Sequence, residues 1–297
     1  MTDRLLGSGL IIVDKPTGMT SHDVISRLRR IFGTRRVGHA GTLDPMATGV
    51  LVVGIERGTR FLAHLVTETK TYRATIRLGA STTTDDAEGD ITSRTDTTDV
   101  TDTLIDAAIA QLTGDIMQKP AAVSAIKIDG KRAHERVRDG ETVDIPARPV
   151  TVHRFDVLDR RSVDGYIDLD VDVFCSSGTY IRSLARDLGN ALGVGGHLTA
   201  LRRTTVGPFD LTHARTLEEL EDNPQLSLTL DQALAVSFPV LQVSGEEGHK
   251  LAMGQWLEPR GLKGIHAAVT PDGQAVALVK EKGKRLATVF VARPSTL

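Results

Sequence analysis

Two periods of hydrophobic and polar positions run along the chain, and the changes between them mark where elements start and stop. The two-residue period is plainest over Lys70 to Leu78, where Tyr72, Ala74, Ile76 and Leu78 fall on one side and Arg73, Thr75 and Arg77 on the other. Side chains of a strand point alternately to its two faces, so this segment is a half-buried strand with Tyr72 on its apolar face. Tyr166 to Phe174 repeats the pattern, with Ile167, Leu169, Val171 and Val173 opposed to Asp168, Asp170 and Asp172. Val150 to Leu158 joins it in a second sheet region, and the unbroken apolar runs Gly9 to Val13 and Val50 to Ile55 read as buried strands.

The helical period appears first after Thr20 and Asp23, a capping box that opens a helix with Val24, Leu28, Ile31 and Phe32 on one face and Gly33 at its end. Gly58 to Val66 reads as a short helix with Phe61, Leu62, Leu65 and Val66 inward. A third, marked by Leu104, Ile105, Ala108, Ile109 and Leu112, is closed by Gly114. A fourth carries Ile181, Leu184, Ala185 and Leu188 inward, with Ser177 or Thr179 as its cap. Past Leu228 to Val236, the short Gly-separated strands Gly264 to Val269, Ala275 to Val279 and Leu286 to Val291 suggest a compact β-barrel.

One stretch obeys neither period. Between Gly38 and Leu51 the backbone is punctuated by Gly38, Gly41, Pro45 and Gly49, so the segment reads as a loop until Val50. Asp44 sits inside it between Leu43 and Pro45, with His39 upstream and no second acid nearby. Such a carboxylate is either an Asx-type turn former ahead of the proline or a reactive group on a shaped loop.

Composition narrows the classes. At 297 residues the chain suggests about two domains, and 40% hydrophobic with 25% charged residues describes a globular protein with sizeable cores. No run approaches a membrane span and the first residues lack a secretory apolar region, so a cytoplasmic protein without a membrane partner is expected. The single cysteine, Cys175, excludes an intramolecular disulfide and a Cys-rich zinc site, and reads as a small core residue at the end of a strand. Net charge is only −2, but the signs are separated along the sequence. Acids collect in Asp85 to Asp90, Asp96 to Asp106 and Glu218 to Asp222, and the stretch from Ser81 to Thr101 reads as a surface loop. Cations collect at Arg27 to Arg36, at Lys127 to Arg138 and at Arg202 and Arg203, a distribution that fits either solvated faces or a basic surface for RNA. Arg27 and Arg30 lie on the polar face of the first helix, placed to hold phosphates beside Asp44.

The loop closely resembles the signature of the TruB family of tRNA pseudouridine synthases, Gly-His-x-Gly-x-Leu-Asp-Pro-x-Ala-x-Gly-x-Leu, and every fixed position is met from Gly38 to Leu51. Further segments agree. Lys15-Pro16-Thr17-Gly18 resembles the family's Lys-Pro-x-Gly turn. Lys70 to Gly79 resembles its Lys-x-Tyr strand, Cys175 to Arg182 its Cys-x-x-Gly-Thr-Tyr-Ile-Arg motif, and His197 to Thr204 the strand whose leucine contacts the target base. The likeness spans residues 9–210 and is strongest in two separate motifs.

That resemblance implies an α+β fold: a pseudouridine-synthase catalytic domain over residues 1–237, with a central mixed, mainly antiparallel sheet flanked by helices and loops, and a small C-terminal PUA-like RNA-binding β-barrel over 238–297. It implies a reaction that isomerises uridine to pseudouridine in the T loop of tRNA, at position 55, by flipping the base out. Asp44 would be the catalytic carboxylate, Arg182 its ion-pair partner, and Tyr72 the ring stacked on the base, with Tyr180 and Leu201 lining the pocket and His39 filling the gap or holding the displaced base. Residues 119–149 resemble the family's segment that closes over the T arm, with a short helix from Arg132 to Arg138 and with Lys127, Lys131, Arg132 and Arg136 toward RNA. It departs from the usual pattern at Lys119, Val123, His134 and Arg136, which shifts the expected grip from stacking to charge. No metal or cofactor is expected, no guide RNA, and a monomer.

Two other classes remain. A noncatalytic RNA-binding protein would use the same basic surface, but gives no reason to keep a carboxylate near phosphates. An aspartate-based glycoside hydrolase wants two carboxylates flanking one bond, and only Asp44 is set in a motif.

Overall fold

Glycine, proline and the N-caps divide the chain into elements in the following order. Strand β1 (Gly9–Lys15) leads through a turn to helix α1 (Ser21–Ile31), and strands β2 (Val37–Ala40) and β3 (Thr48–Ile55) follow. A short α2 (Gly58–Phe61) continues as a 3-10 turn over Leu62–His64. Next come β4 (Lys70–Leu78), β5 (Ala80–Thr82), β6 (Ile91–Arg94), α3 (Asp102–Gln111) and β7 (Gly114–Gln118). The two-residue strands β8 (Lys127–Ile128) and β9 (Lys131–Arg132) pair with each other, and the long β10 (Arg148–Val163) turns back into β11 (Tyr166–Cys175). Helix α4 (Ile181–Ala191), β12 (Gly196–Val206), β13 (Phe209–Asp210), α5 (Leu217–Asp222), β14 (Leu228–Thr229) and α6 (Leu230–Ser237) precede a final group of β15 (Val240–Gln242), α7 (Gly245–Ala252), β16 (Ile265–Val269), β17 (Ala275–Lys282) and β18 (Arg285–Val291). This computed structural model describes residues 5, 7–66, 68–121 and 145–295, with residues 127–128 and 131–132 as backbone. The expected helix from Arg132 to Arg138 runs into residues outside the described ones.

The elements fall into two units. The first comprises the chain up to Pro45, Gly49–Val66, and Val206 onward. In it β1 lies antiparallel to β3 along its whole length, from Gly9 opposite Ile55 to Lys15 opposite Gly49, and β2 pairs with β3 from Val37 opposite Ile55 to Ala40 opposite Val52. The Thr20–Asp23 capping box forms as expected: Thr20 Oγ1 accepts from the Asp23 N–H at 3.0 Å and Asp23 Oδ2 accepts from the Thr20 N–H at 2.9 Å. It fixes the start of α1, which buries Val24, Ile25 and Leu28. Val66, expected inward, is exposed, because the helix tightens into a 3-10 turn at Leu62 and rotates the last residue outward.

One hydrophobic core in this unit joins Leu10, Ile12, Val52, Phe61 and Leu65 from the N-terminal third to Leu234 of α6 and to Ala267, Leu278 and Phe290 of the last strands. The C-terminal strands form a four-stranded sheet in the order β15-β16-β17-β18, with β15 parallel to β16 and the other pairs antiparallel. This sheet is open, so the expected PUA-like barrel is corrected to an open α/β layer. Alternation explains why closure is unnecessary. One face of the sheet buries Ala267, Leu278 and Phe290 in the core just described, and the other buries Ala268, Ala277, Val279 and Leu286 with Val243 and Leu251 of α7. With both faces already covered, four strands gain nothing by curling on themselves.

The second unit comprises Met46–Thr48 and Thr67–Thr205. Its strands run in the order β12-β4-β11-β10-β7, and the described pairings of β4, β11, β10 and β7 are antiparallel. The α+β class is therefore as expected, with mostly antiparallel sheets. On one face Tyr72, Ala74, Ile76 and Leu78 of β4 and Ile167, Leu169, Val171 and Val173 of β11 are all buried. The opposite face is a ladder of ion pairs: Arg77 grips Asp168 through two bonds of 2.8 Å, Arg161 grips Asp170, and Asp172 takes Arg154 and Arg73. The three aspartates of β11 are thus neutralised across strands. Leu104, expected on the inner face of α3, is exposed, whereas Ile105, Ala108 and Ile109 are buried.

The acidic stretch from Ser81 to Thr101 is more than a surface loop. It contains the β5–β6 hairpin, and Thr82, Asp86, Thr97 and Val100 are buried. Cys175 is a buried free thiol, and burial pushes its pKa up to about 11, as suits a core residue.

Candidate active site

In the first unit the candidate catalytic carboxylate lies on the loop after β2. That loop is shorter than the sequence suggests, because Gly38 and His39 belong to β2 and the next strand begins at Thr48. A glycine tolerates the pleat here, and the ladder to Gly54 and Val53 of β3 outweighs its entropic cost. The true loop opens at Gly41, whose φ of 77° lies in the left-handed region.

Asp44 is half-buried, and the backbone on both sides of it is pinned. The Ser21 hydroxyl, in the first turn of α1, donates to the Leu43 carbonyl at 3.1 Å and accepts from the Leu43 N–H at 2.9 Å. On the other side the Pro45 carbonyl accepts from the Gly18 N–H at 2.8 Å and from Lys15 Nζ at 3.3 Å. The fully buried Lys15 also donates to the carbonyls of Met19 (2.6 Å) and Pro16 (2.8 Å). A charged ammonium shared among carbonyls gives bonds stronger than neutral ones, so Lys15 clamps the Pro16–Met19 turn to the loop. Lys15 and Ser21 are positioning residues. The Lys-Pro-x-Gly turn pointed toward Lys15, but nothing in the local sequence marks Ser21.

Of the residues expected nearby, His39 is half-buried in β2, and Arg27 and Arg30 are exposed or partly so on α1. Arg27 is engaged by acids: Nε donates to Glu221 Oε1 at 2.7 Å and Nη2 to Glu221 Oε2 at 2.9 Å and Glu218 Oε1 at 3.2 Å. The basic and acidic clusters that are far apart in sequence here meet in space.

The second unit holds Tyr72, Tyr180, Arg182 and Leu201. Tyr72 is buried on the apolar face of β4, Leu201 is buried in β12, and Tyr180 is the half-buried residue before α4. The N-cap of that helix is Tyr180, not Ser177 or Thr179. Gln118, at the end of β7, braces it with both ends of its amide: Oε1 accepts from the Tyr180 N–H at 2.8 Å and Nε2 donates to the Tyr180 carbonyl at 3.1 Å. The buried amide fixes the backbone from which Tyr180 and Arg182 project.

Arg182 in the first turn of α4 implies a carboxylate, because the positive end of a helix disfavours a cation. Within this unit that carboxylate is Asp86, whose Oδ2 lies 3.5 Å from Arg182 Nη1, and Nη1 also donates to the Thr84 carbonyl at 3.1 Å. Asp86 is itself fixed by the Thr84 hydroxyl (2.5 Å) and the Glu88 N–H (3.0 Å). Its neighbour Asp85, held at a φ of 61°, receives Arg186 Nη1 at 3.1 Å, and Arg186 Nη2 donates to the Lys119 carbonyl at 2.7 Å. Burial pushes the Asp85 carboxyl above its ordinary value, and Arg186 and Arg182 pull it partly back. Two adjacent acids therefore meet two arginines one helical turn apart. The Asp85-Asp86 pair looked like part of a solvated acidic run, and only the burial of the hairpin distinguishes it.

The strands beside these residues carry further cations. Arg203 is fully buried, Arg202 Nη1 donates to Thr48 Oγ1 at 3.2 Å, and Lys70 Nζ donates to the Glu68 carbonyl at 2.8 Å. Among the described residues no group of three or more His, Cys, Asp or Glu is arranged to hold a metal. Lys127, Lys131 and Arg132 lie in β8 and β9, described as backbone, and Arg136 falls outside the described residues.

Residues 29–181 match the model of the TruB family pseudouridylate synthase N-terminal domain, and the chain is 73% identical over 297 residues, all of both chains, to a tRNA pseudouridine synthase B of Corynebacterium efficiens. The chain belongs to the TruB family. Residues 182–235 match a tRNA pseudouridylate synthase B C-terminal domain, and residues 238–293 the C-terminal model of tRNA pseudouridine synthase II. A tRNA pseudouridine synthase B of Nocardia farcinica is 60% identical over 97% of this chain and 94% of that one. A solved chain in an H/ACA RNP bound to a substrate RNA containing 2'-deoxyuridine is 27% identical and covers 96% of this chain and 85% of its own, with a TM-score of 0.72. The TruB signature and the pseudouridylate synthase fold therefore coincide in one RNA-binding enzyme. No described helix is long and apolar enough to cross a membrane.

Proposed function

We propose that this TruB-family enzyme isomerises a uridine to pseudouridine in the T loop of tRNA, at position 55, as a cytoplasmic monomer that needs no guide RNA. What carries the reading is the bracing of Asp44: Leu43 and Pro45 are held on either side, so the carboxylate is delivered at a fixed place on a loop rather than on a solvated turn. Full-length similarity to proteins named tRNA pseudouridine synthase B supports tRNA as the substrate.

The chemistry is an exchange of one bond for another. The C1′–N1 bond breaks, the uracil turns, and a C1′–C5 bond forms; C5 loses its hydrogen as a proton and N1 gains one, so no atom enters or leaves. In this reading Asp44 supplies the carboxylate that assists the bond exchange, and Arg182 is its ionic partner. Tyr72 stacks on the flipped base, while Tyr180, Leu201 and His39 bound the space in which it turns. Extruding the base costs a few kcal/mol, which contacts to the rest of the tRNA offset. Those contacts are assigned to Arg30, Lys127, Lys131, Arg132 and Arg136, and to Arg27 once phosphate displaces Glu218 and Glu221.

The test is incubation of the purified protein alone with unmodified tRNA transcript and with an isolated T stem-loop, followed by carbodiimide primer extension. A new stop at the T-loop uridine with both RNAs is expected. Binding without any stop would make the protein a noncatalytic RNA binder, and a requirement for an added RNA would remove guide independence.

A further inference from the structure

Arg186 reaches three elements with one guanidinium. From the second turn of α4, Nη1 meets Asp85 Oδ2 at 3.1 Å in the turn between β5 and β6, and Nη2 donates to the Lys119 carbonyl at 2.7 Å just past β7. Nε donates to Asp187 Oδ1 at 3.0 Å on its own helix. An arginine that only pairs with one acid at a solvated surface contributes little. The Arg186 side chain is 21% exposed and that of Asp85 16%, and two of the three bonds leave the helix for different elements.

The Asp85 end of this tie is held in a shape of its own. Asp85 takes a φ of 61°, in the left-handed region that a residue with a side chain rarely enters and keeps only where its surroundings hold it. Its carbonyl accepts from the Leu198 N–H of β12 at 3.0 Å, and the Thr82 hydroxyl donates to the Asp86 carbonyl at 2.7 Å. Along an extended chain neighbouring side chains point to opposite sides. The left-handed turn at Asp85 lets both carboxylates face one helix, Asp86 toward Arg182 and Asp85 toward Arg186 four residues on.

The Lys119 end leads back to the start of the same helix. Lys119 follows Gln118, whose amide holds both the N–H and the carbonyl of Tyr180. Arg186 therefore stands between two braces. Through Asp85 it fixes the turn that supplies Asp86 to Arg182, and through the Lys119 carbonyl it fixes the backbone that supplies Gln118 to Tyr180. One brace comes from the β5–β6 hairpin and the other from β7 at the end of the sheet, so without a common tie each could shift by itself. A displacement of about 1 Å in a reacting group can cost about a hundredfold in rate.

We propose that Arg186 is a positioning residue for the isomerisation, which ties the brace of Arg182 to the brace of Tyr180 so that both side chains address the flipped uridine in one geometry. The proposal rests on Arg182 and Tyr180 acting on that base. It gives a catalytic consequence to a side chain that lies outside the Asp44 loop and past the end of the Cys175 to Arg182 motif.

The test uses Arg186→Met and Arg186→Lys in the full-length enzyme with unmodified tRNA transcript. Methionine keeps much of the apolar stem and loses all three bonds, so kcat should fall about tenfold while KM stays within about twofold, the loss falling on reacting geometry rather than on binding. Lysine keeps a charge beside Asp85 but lacks the fork that also reaches the Lys119 carbonyl, and should recover only part of kcat. Combined with Gln118→Ala, Arg186→Met should cost less than the product of the two single losses, because both act on one stretch of backbone. Circular dichroism at the assay temperature shows that each variant is folded, and if Arg186→Met does not fold, the cycle of Arg186→Lys with Gln118→Ala makes the same comparison. Wild-type kcat in a folded Arg186→Met enzyme, losses that simply multiply, or a rise in KM alone would overturn the positioning role and leave the isomerase reading standing. A wild-type protein that converts no uridine would overturn that reading and the positioning role with it.

Discussion

Arg182 and Asp86 face each other across 3.5 Å with only 4% and 2% of their surfaces exposed. Charges taken that far from water are stable only when each has a partner, and removing one partner from a buried pair costs about 3–5 kcal/mol. The pair joins the first turn of α4 to the β5–β6 hairpin, so the aim of Arg182 depends on a residue outside every motif.

Asp86→Asn keeps the shape and leaves Arg182 without this counter-charge. It should lower kcat at least tenfold and reduce Tm, while tRNA affinity stays within about tenfold. Stopped turnover assays and thermal unfolding on the same preparation measure this. Wild-type kcat with a lowered Tm would make the pair purely structural.

Asp44→Asn should abolish pseudouridine formation while the loop keeps its course, because the backbones of Leu43 and Pro45 are held by Ser21, Gly18 and Lys15. Tritium release from 5-tritiated uridine in tRNA measures the loss, since C5 surrenders its hydrogen in the reaction. Measurable release at the wild-type rate would remove Asp44 from the mechanism.

Gln118→Ala removes both bonds to Tyr180 and leaves the start of α4 without this brace. The expected cost is about 1–2 kcal/mol in denaturant unfolding, in the range of a lost helix cap. Gln118→Glu should recover the bond from the Tyr180 N–H and lose the one to its carbonyl. An effect below a few tenths of a kcal/mol would show the amide to be dispensable.

Stability should depend on pH through Lys70 and Cys175. Burial, reinforced by Arg203, pushes the Lys70 pKa down from 10.5 to about 8, so between these values the unfolded chain holds a proton that the folded one lacks, and stability rises with pH. Burial pushes the Cys175 pKa up from 9.0 to about 11, so over that window the folded chain holds the extra proton and stability falls. The rise should therefore be clear from pH 8 to 9 and nearly cancelled above it. Lys70→Met should remove the rise, and Cys175→Ala should extend it toward pH 10.5, as read by urea midpoints across the range.

The sequence by itself determined whatever depends on neighbours a few residues apart. The two-residue period of β4 and β11 predicts which side chains are buried, because the pleat alternates whatever lies beyond it. The α1 capping box is visible in Thr20 and Asp23 since both partners lie within one turn. The Asp44 loop, the Arg182 motif and the family were legible for another reason: they are runs of fixed residue types, kept together by the chemistry of one site.

Tertiary structure decided what depends on partners distant in sequence. Nothing near Arg182 names Asp86, and nothing near Tyr180 names Gln118, since helix and strand are brought together only by folding. The same holds for the last strands. Their spacing fits a barrel, but Leu278 and Phe290 are buried with Leu10 and Phe61 from the start of the chain. A sheet whose inner face is already covered has no need to close, and whether that cover exists is a property of the whole chain rather than of the strands.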